Sequence, residues 1–500
     1  MLMSKFAIII FGASGDLTKR KLMPALYSLF KNKQISANHV ILGVGRTAYT
    51  DDAYRSYMKE ELYQSVKPDK QETELMNSFL SLIYYLTLDP AQESKYSLLK
   101  KKLVNLTGES EPNDLLFYLS TPPSLYGVIP LCLKKVGLNT KGARIIVEKP
   151  FGYDLKSAQN LNLIYASVFE EHQIYRIDHF LGKETVQNLL AFRFANGIFE
   201  PLWNRNYIDY VEITAVENLG IENRGGFYES AGALRDMVQN HLIQLVALTA
   251  MEPPANFNAD SFRNEVVKVY ESLTPLTSVD LNEHIVRGQY THAGNKKGYR
   301  EENQVDPASR TETYIAMKLG ISNWRWSGVP FYIRTGKQMP TKVSEIVVHF
   351  RETPHRMFHC ANNTSPQANK LILRLQPNEG VVLKIGMKVP GAGFEVKQVT
   401  MDFSYNQLGG VPSGDAYARL IDDCIQGDST LFTRSDAVEA SWRFFEPVLR
   451  YWQTYPEASL YGYPAGTWGP LESEKMMREH GAEWTNPCKN LTNTDQYCEL

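Results

Sequence analysis

Five hundred residues exceed the roughly 250–300 at which one hydrophobic core stops growing, so the chain predicts two or more domains and excludes a single small module. A composition of 43% hydrophobic and 22% charged residues is that of a globular protein and excludes disorder for the bulk of the chain. Lys and Arg number 53 against 55 Asp and Glu, a net charge of -2, so no global field favours nucleic acid or an anionic membrane, and an anionic ligand must be met by a local cluster.

Taken in chain order, short apolar runs predict strands at 6–11, 40–44, 83–88, 115–119, 144–147 and 173–177. Helical patterns at 51–62, 94–106, 125–136 and 155–171 separate the later ones, the last opened by Asp154 as a cap. That alternation predicts a doubly wound parallel sheet over 1–178. Beyond it, strands are predicted at 211–216, 331–335, 343–350, 371–375, 381–387 and 398–403, without regular intervening helices. With helical patterns at 231–251 and 437–452, residues 179–500 read as a larger α+β domain, a mainly antiparallel sheet with helices on one side. The first run is shorter than a signal-peptide core and lacks a cleavage site, and no stretch approaches the ~18–20 apolar residues of a membrane span. Five cysteines (Cys132, Cys360, Cys424, Cys488, Cys498) form an odd set without a C-x-x-C pair, which reads as reduced thiols in a cytoplasmic protein with no metal site.

Gly12-Ala13-Ser14-Gly15-Asp16-Leu17 follows the first strand and precedes a stripe of Leu22, Leu26, Leu29 and Phe30. Glycines at such a turn let the backbone approach a pyrophosphate, which then lies against the free amides of the helix start. The spacing departs from G-x-G-x-x-G, and Pro24 should kink the helix unless the helix begins late enough for its missing amide to be an orphan. After the second strand, Arg46-Thr47 stands where an NAD site carries an acidic residue, so the turn, with Gly12, Ser14, Gly15, Asp16 and Leu17, favours NADP. The ends of parallel strands form the ligand crevice of such sheets, which adds Thr121 and Lys149 to the cofactor candidates. This half is therefore Rossmann-like.

Three polar segments stand out: Glu148-Lys149-Pro150, Arg176-Ile177-Asp178-His179 through Lys183-Glu184, and Arg235-Asp236-Met237-Val238-Gln239-Asn240-His241. With the Gly-Ala-Ser-Gly-Asp-Leu turn, Ser120-Thr121-Pro122-Pro123, Thr311-Glu312-Thr313-Tyr314 and Gly328-Val329-Pro330-Phe331 through Lys337, they occur in the order found in the glucose-6-phosphate dehydrogenase family, which the chain closely resembles. The resemblance implies oxidation of D-glucose 6-phosphate at C1 to 6-phospho-D-glucono-1,5-lactone with NADP, the first step of the oxidative pentose phosphate pathway. His241 is the implied general base and Asp178 the carboxylate orienting it. A base must take the hydroxyl proton as hydride leaves, and imidazole titrates in the range for it, although a histidine on an apolar stripe is by itself an ordinary core residue. His179, Lys183 and Tyr417 are implied for the substrate phosphate, with Lys342 near it; Glu217, Asp236 and Lys337 for sugar hydroxyls; and Lys149 between sugar and cofactor. Phe180 departs from the pattern, removing a hydroxyl that many relatives offer the phosphate.

A rival, the glucose-fructose oxidoreductase type, shares the Glu-Lys-Pro segment but is opposed by the Arg-Ile-Asp-His and Gln-Asn-His pair. A non-catalytic NADP sensor could dispense with His241, Asp178 and Lys337, and all three are present. The large sheet needs its outer face covered, and the family pairs subunits there, so a homodimer or homotetramer is expected, with no nucleic-acid or membrane partner.

Overall fold

The computed structural model describes residues 5–66, 70–355, 357–358, 367–408 and 416–488. They form two compact units. The first holds the chain to Glu184 together with 255–263 and 413–439; the second holds 185–254, 264–412 and the residues from Ala440. The units thus do not follow one cut at 178/179, and Tyr417 belongs to the first of them. Periodicity reports local structure and carries no sign of a segment that returns to an earlier unit.

In the first unit six parallel strands, β1 (Phe6–Phe11), β2 (His39–Gly45), β3 (Ile83–Thr87), β4 (Leu115–Leu119), β5 (Arg144–Val147) and β6 (Ile174–Arg176), run in the order β3-β2-β1-β4-β5-β6. This is the order of a dinucleotide-binding sheet. Continuous burial of β1 and β4 follows from helices covering both faces of a parallel sheet. The helix expected over 155–171 stops at Ala166; its cap is as expected, Asp154 Oδ1 accepting from Ser157 N at 2.7 Å. The chain is helical without a break from Asp16 through the π-helical Thr18–Leu22 into Met23–Lys31, so Pro24 lies inside the run, and the wide turn just before it, rather than a late helix start, accompanies its absent amide.

The second unit is built on nine strands: β7 (Ile208–Val216), β8 (Ile285–Thr291), β9 (Tyr314–Leu319), β10 (Phe331–Gly336), β11 (Val343–Phe350), β12 (Lys370–Gln376), β13 (Gly380–Lys388), β14 (Val396–Ser404) and β15 (Tyr461–Pro464). Their order is β14-β13-β12-β11-β7-β10-β9-β8-β15, antiparallel except for the β7/β10 and β8/β15 pairs. Strands β8, β9 and β15 have no counterpart in the sequence reading. In β8 the buried positions include Arg287 and Gln289, which hides the apolar pattern; both are satisfied, Arg287 by the carbonyls of Ala458 and Ser459 and Gln289 by those of Ser309 and Thr311. No helix among the described residues is long and apolar enough to cross a membrane. Cys132 and Cys424 are free and buried, but Cys488 is disulfide-bonded, which corrects the expectation of uniformly reduced thiols; Cys360 and Cys498 lie outside the described residues.

Candidate active site

In the first unit the turn after β1 is shaped for close backbone approach. Gly12 has φ +84°, and a Cβ there would lie 1.9 Å from the Ser120 carbonyl oxygen, so no other residue fits. Gly15 N donates to Gly12 O at 2.9 Å, the Thr18 hydroxyl donates to the same oxygen at 3.0 Å, and Tyr54 Oη fixes Ala13 O at 2.8 Å. Tyr54 escaped the sequence reading because only the pairing of β1 with its neighbours brings its helix (Asp51–Val66) to the turn. After Asp16 and Leu17 the chain makes one wide turn, Thr18–Leu22, before the α-helix. Ser14 Oγ lies 3.4 Å from Thr47 Oγ1, so the turn and the end of β2 share one rim, where the Arg46 side chain is exposed. Arg46 makes no ion pair among the described residues, and the buried Thr121 Oγ1 has no hydrogen-bond partner there. A glycine cradle, an orphaned hydroxyl and an uncommitted guanidinium fit a dinucleotide carrying an additional phosphate.

Beyond β5 come Glu148, Lys149 and a cis Pro150. Tyr118, on the paired strand β4, donates to Glu148 Oε1 at 2.5 Å. Burial pushes the Glu148 carboxyl up to about 7, against the pull of the Tyr118 hydroxyl and the Lys149 ammonium. Asp178, just past β6, is 5% exposed and accepts from Phe180 N at 2.9 Å, so it caps that turn. Phe180 is buried and the Lys183 ammonium sits 3.9 Å over its ring, a cation–π contact that holds the lysine where a tyrosine hydroxyl is missing. A Cβ on Gly182 would stand 2.7 Å from Ala416 O, so the glycine lets the helix Ala416–Gln426 start against this segment. Tyr417 stands in the first turn of that helix and acts through space on Tyr118 of β4.

In the second unit, β7 and β10 pair in parallel with Val216 opposite Gly336, so the next residues, Glu217 and Lys337, emerge side by side. Lys337 Nζ donates to Glu217 Oε2 and lies 4.0 Å from Asp236 Oδ2 and 5.6 Å from the Tyr228 ring centroid. Burial opposes the charged form of Glu217, but the Lys337 ammonium outweighs it and holds the carboxyl below its ordinary range. Lys342 is exposed and makes no ion pair with this cluster.

His241 is 1% exposed and lies in a wide π-helical run, Leu234–Leu242, between the α-helices Gly225–Ala233 and Ile243–Ala250. The expected 231–251 helix is thus three segments. The difference matters: residues five apart are about 140° apart around an α-helix, whereas the wider i→i+5 turn reduces that offset to roughly 50°, so Asp236 and His241 lie on one side of the run. The run is anchored by the buried Glu312, whose Oε1 accepts from Leu234 N at 3.1 Å. Glu312 was visible only as part of a motif; its role depends on a contact 78 positions away.

The family described as "Glucose-6-phosphate dehydrogenase, NAD binding domain" matches residues 9–188, and that described as "Glucose-6-phosphate dehydrogenase, C-terminal domain" matches 190–485. The chain belongs to the glucose-6-phosphate dehydrogenase family. A glucose-6-phosphate 1-dehydrogenase from Aggregatibacter actinomycetemcomitans is 51% identical over 490 residues, 96% of this chain and 97% of that protein. Its counterpart from Treponema pallidum is 45% identical over 504 residues, 99% and 97%. A solved structure of glucose-6-phosphate dehydrogenase in complex with its substrate glucose-6-phosphate superposes with a TM-score of 0.88 at 34% identity, covering 97% of this chain and all of the other. The enzyme of Mycobacterium avium does so with 0.84 at 36%, over 97% and 99%. Family membership accounts for the dinucleotide turn and makes NADP its cofactor. Replacing Arg46 by alanine is expected to lower the preference for NADP over NAD about tenfold to a hundredfold, the worth of one charge-assisted contact. Steady-state kinetics with both cofactors would measure it, and an unchanged ratio would remove Arg46 from the site.

Proposed function

We propose that the chain oxidises D-glucose 6-phosphate at C1 to 6-phospho-D-glucono-1,5-lactone with hydride transfer to NADP, His241 acting as general base and Asp178 orienting it. The observation that carries the reading is family membership over nearly the whole chain, 9–188 and 190–485. In the proposed division of roles, 1–178 binds cofactor and 179–500 binds substrate and supports assembly.

His179, Lys183 and Tyr417 hold the substrate phosphate, for which the net charge of the chain offers nothing. Glu217, Asp236 and Lys337 take sugar hydroxyls, the carboxylates as acceptors and the ammonium as donor. His241 removes the proton from the C1 hydroxyl; the O–H electron pair becomes the second C–O bond as the C1–H bond breaks with its electrons. NADP, when bound, accepts that hydride. His241 then releases the proton to solvent, so the reaction yields lactone, NADPH and one proton. Asp178 steadies the imidazolium in between. Its burial and the Phe180 amide on its side chain support a fixed carboxylate in that role.

A second copy of the chain covers the outer strands of the large sheet. Val399, Met401 and Phe403 of β14 and Met387 of β13 project from one face and are 37%, 58%, 39% and 52% exposed, while Val382 on the opposite face is buried. Such an apolar stripe suits a homodimer, alone or within a tetramer. Both reactants are charged metabolites, which supports a cytoplasmic enzyme.

Mixing the protein with NADP and glucose 6-phosphate should produce reduced-nicotinamide absorbance, with unphosphorylated glucose giving little. Equal rates with both sugars would overturn the phosphate assignment, and no signal with either would overturn the reaction.

A further inference from the structure

Glu217 and Lys337 mark the carboxyl ends of β7 and β10. At the other end of the same strands, roughly 20 Å away along the six residues of β10, lies a cavity of about 550 Å³. The starts of β7, β8 and β10 and the end of β9 surround it, with 274–276 and His480 closing its sides.

The lining sets two carboxylates, Asp209 and Asp280, against Lys318, Arg351 and two histidines, but the pairing among them is uneven. Lys318, from β9, donates to His480 Nε2 at 2.8 Å, and among the described residues no carboxylate forms an ion pair with it. The His284 ring lies 5.9 Å from that of His480. The acidic groups facing the pair are already committed or remote. Asp280 accepts from Thr277 N and Oγ1, each at 2.7 Å, and lies 2.8 Å from His284 Nδ1. Asp209 lies 3.8 Å from Arg351 at the rim, and Glu283 and Glu479 act on His480 only through space. Burial lowers the pKa of Lys318 against the through-space pull of Asp280, and burial followed by the Lys318 and His284 charges lowers that of His480. The Lys318 ammonium is thus held against burial beside an imidazole that accepts from it and is kept neutral, and a bound anion would relieve the ammonium.

The remaining lining says what kind of anion fits. Thr274 Oγ1 and Ser322 Oγ, 2.8 Å apart, offer hydroxyl donors, while Leu276, Val329 and Pro330 supply an apolar wall. A phosphoryl group carries up to two charges near neutrality and three acceptor oxygens, matching an ammonium, the N–H of a neutral imidazole and hydroxyls together. The volume exceeds what one inorganic phosphate needs. We propose that this cavity is a second binding site, for a small phosphorylated anion seated on Lys318 and His480 and separate from the substrate site.

Calorimetric titration with inorganic pyrophosphate, in saturating glucose 6-phosphate so that the substrate site is filled, tests the proposal. One equivalent should bind, and Lys318→Met should weaken binding at least tenfold, with His480→Gln giving a smaller loss in the same direction. Turnover of both variants should stay near that of the parent. Absence of binding, or binding that both substitutions leave unchanged, would overturn the site. Should the parent show no turnover of glucose 6-phosphate, the proposed function fails while the pyrophosphate titration still decides this site independently.

Discussion

Replacing His241 by asparagine is expected to lower kcat by about two to four orders of magnitude while the protein still binds glucose 6-phosphate. Asparagine keeps a polar, hydrogen-bonding side chain of similar reach but cannot take up a proton, so what is lost is the acceptor for the C1 hydroxyl proton. Because His241 is 1% exposed, a thermal melt must accompany the kinetics; a cooperative transition near that of the parent would assign the loss to chemistry. The binding of sugar, followed by calorimetry, should change by less than about tenfold, since removing the base acts on the transition state rather than on the bound substrate. A variant that retains near-parental kcat would disprove the assignment.

The second large effect concerns Lys337. Its side chain is 4% exposed and faces two carboxylates, those of Glu217 and Asp236, so Lys337→Ala leaves like charges opposed with no cation between them. Breaking a buried pair costs about 3–5 kcal/mol, and the low end applies because the Glu217 side chain keeps 36% of its surface in water. The cost should depend on pH in a defined sense. In the parent, Glu217 is held below its ordinary range, so its contribution is present above the unfolded value of about 4.3 and is lost as pH falls through the folded one. In the variant burial and the Asp236 charge outweigh the remaining pull of Arg224 and raise Glu217, so stability is lost as pH rises instead. The gap between the two proteins in urea unfolding should therefore be widest near pH 8 and narrow towards pH 4. KM for the sugar should rise about tenfold to a hundredfold through the lost charge-assisted bond. A gap that does not change with pH would show that Glu217 and Lys337 are not electrostatically coupled.

Strand limits were most legible where a segment is apolar throughout and bounded by polar turns. β1 and β4 begin and end where the pattern places them; β5 and the antiparallel β11 do so too, although β5 opens with Arg144 and β11 carries Ser344, Glu345 and His349. The fully buried parallel strands carry no polar position to confuse the signal. β8 shows the opposite case: an arginine and a glutamine in a buried strand break the pattern, and only the carbonyls supplied by 309–311 and 458–459 make the burial affordable. The dinucleotide turn was readable because glycine is needed there for a local reason. The orphaned Thr121 hydroxyl was a candidate from its place at a strand end, but its lack of a partner is a property of packing.

From the order of its residues alone, this protein has a glycine turn after an apolar strand, Arg46 where an acid would select NAD, and the segments that ally it with sugar-phosphate dehydrogenases. These are short-range properties, set by backbone sterics and side-chain alternation within a dozen positions. The tertiary structure decided that Lys337 meets Glu217 from 120 residues away, that Asp236 and His241 share one side of a widened helix, and that Tyr417 returns to the first unit. Such meetings depend on strand register and on which helix ladder the buried surroundings select, and both are settled by burial and charge pairing between distant segments.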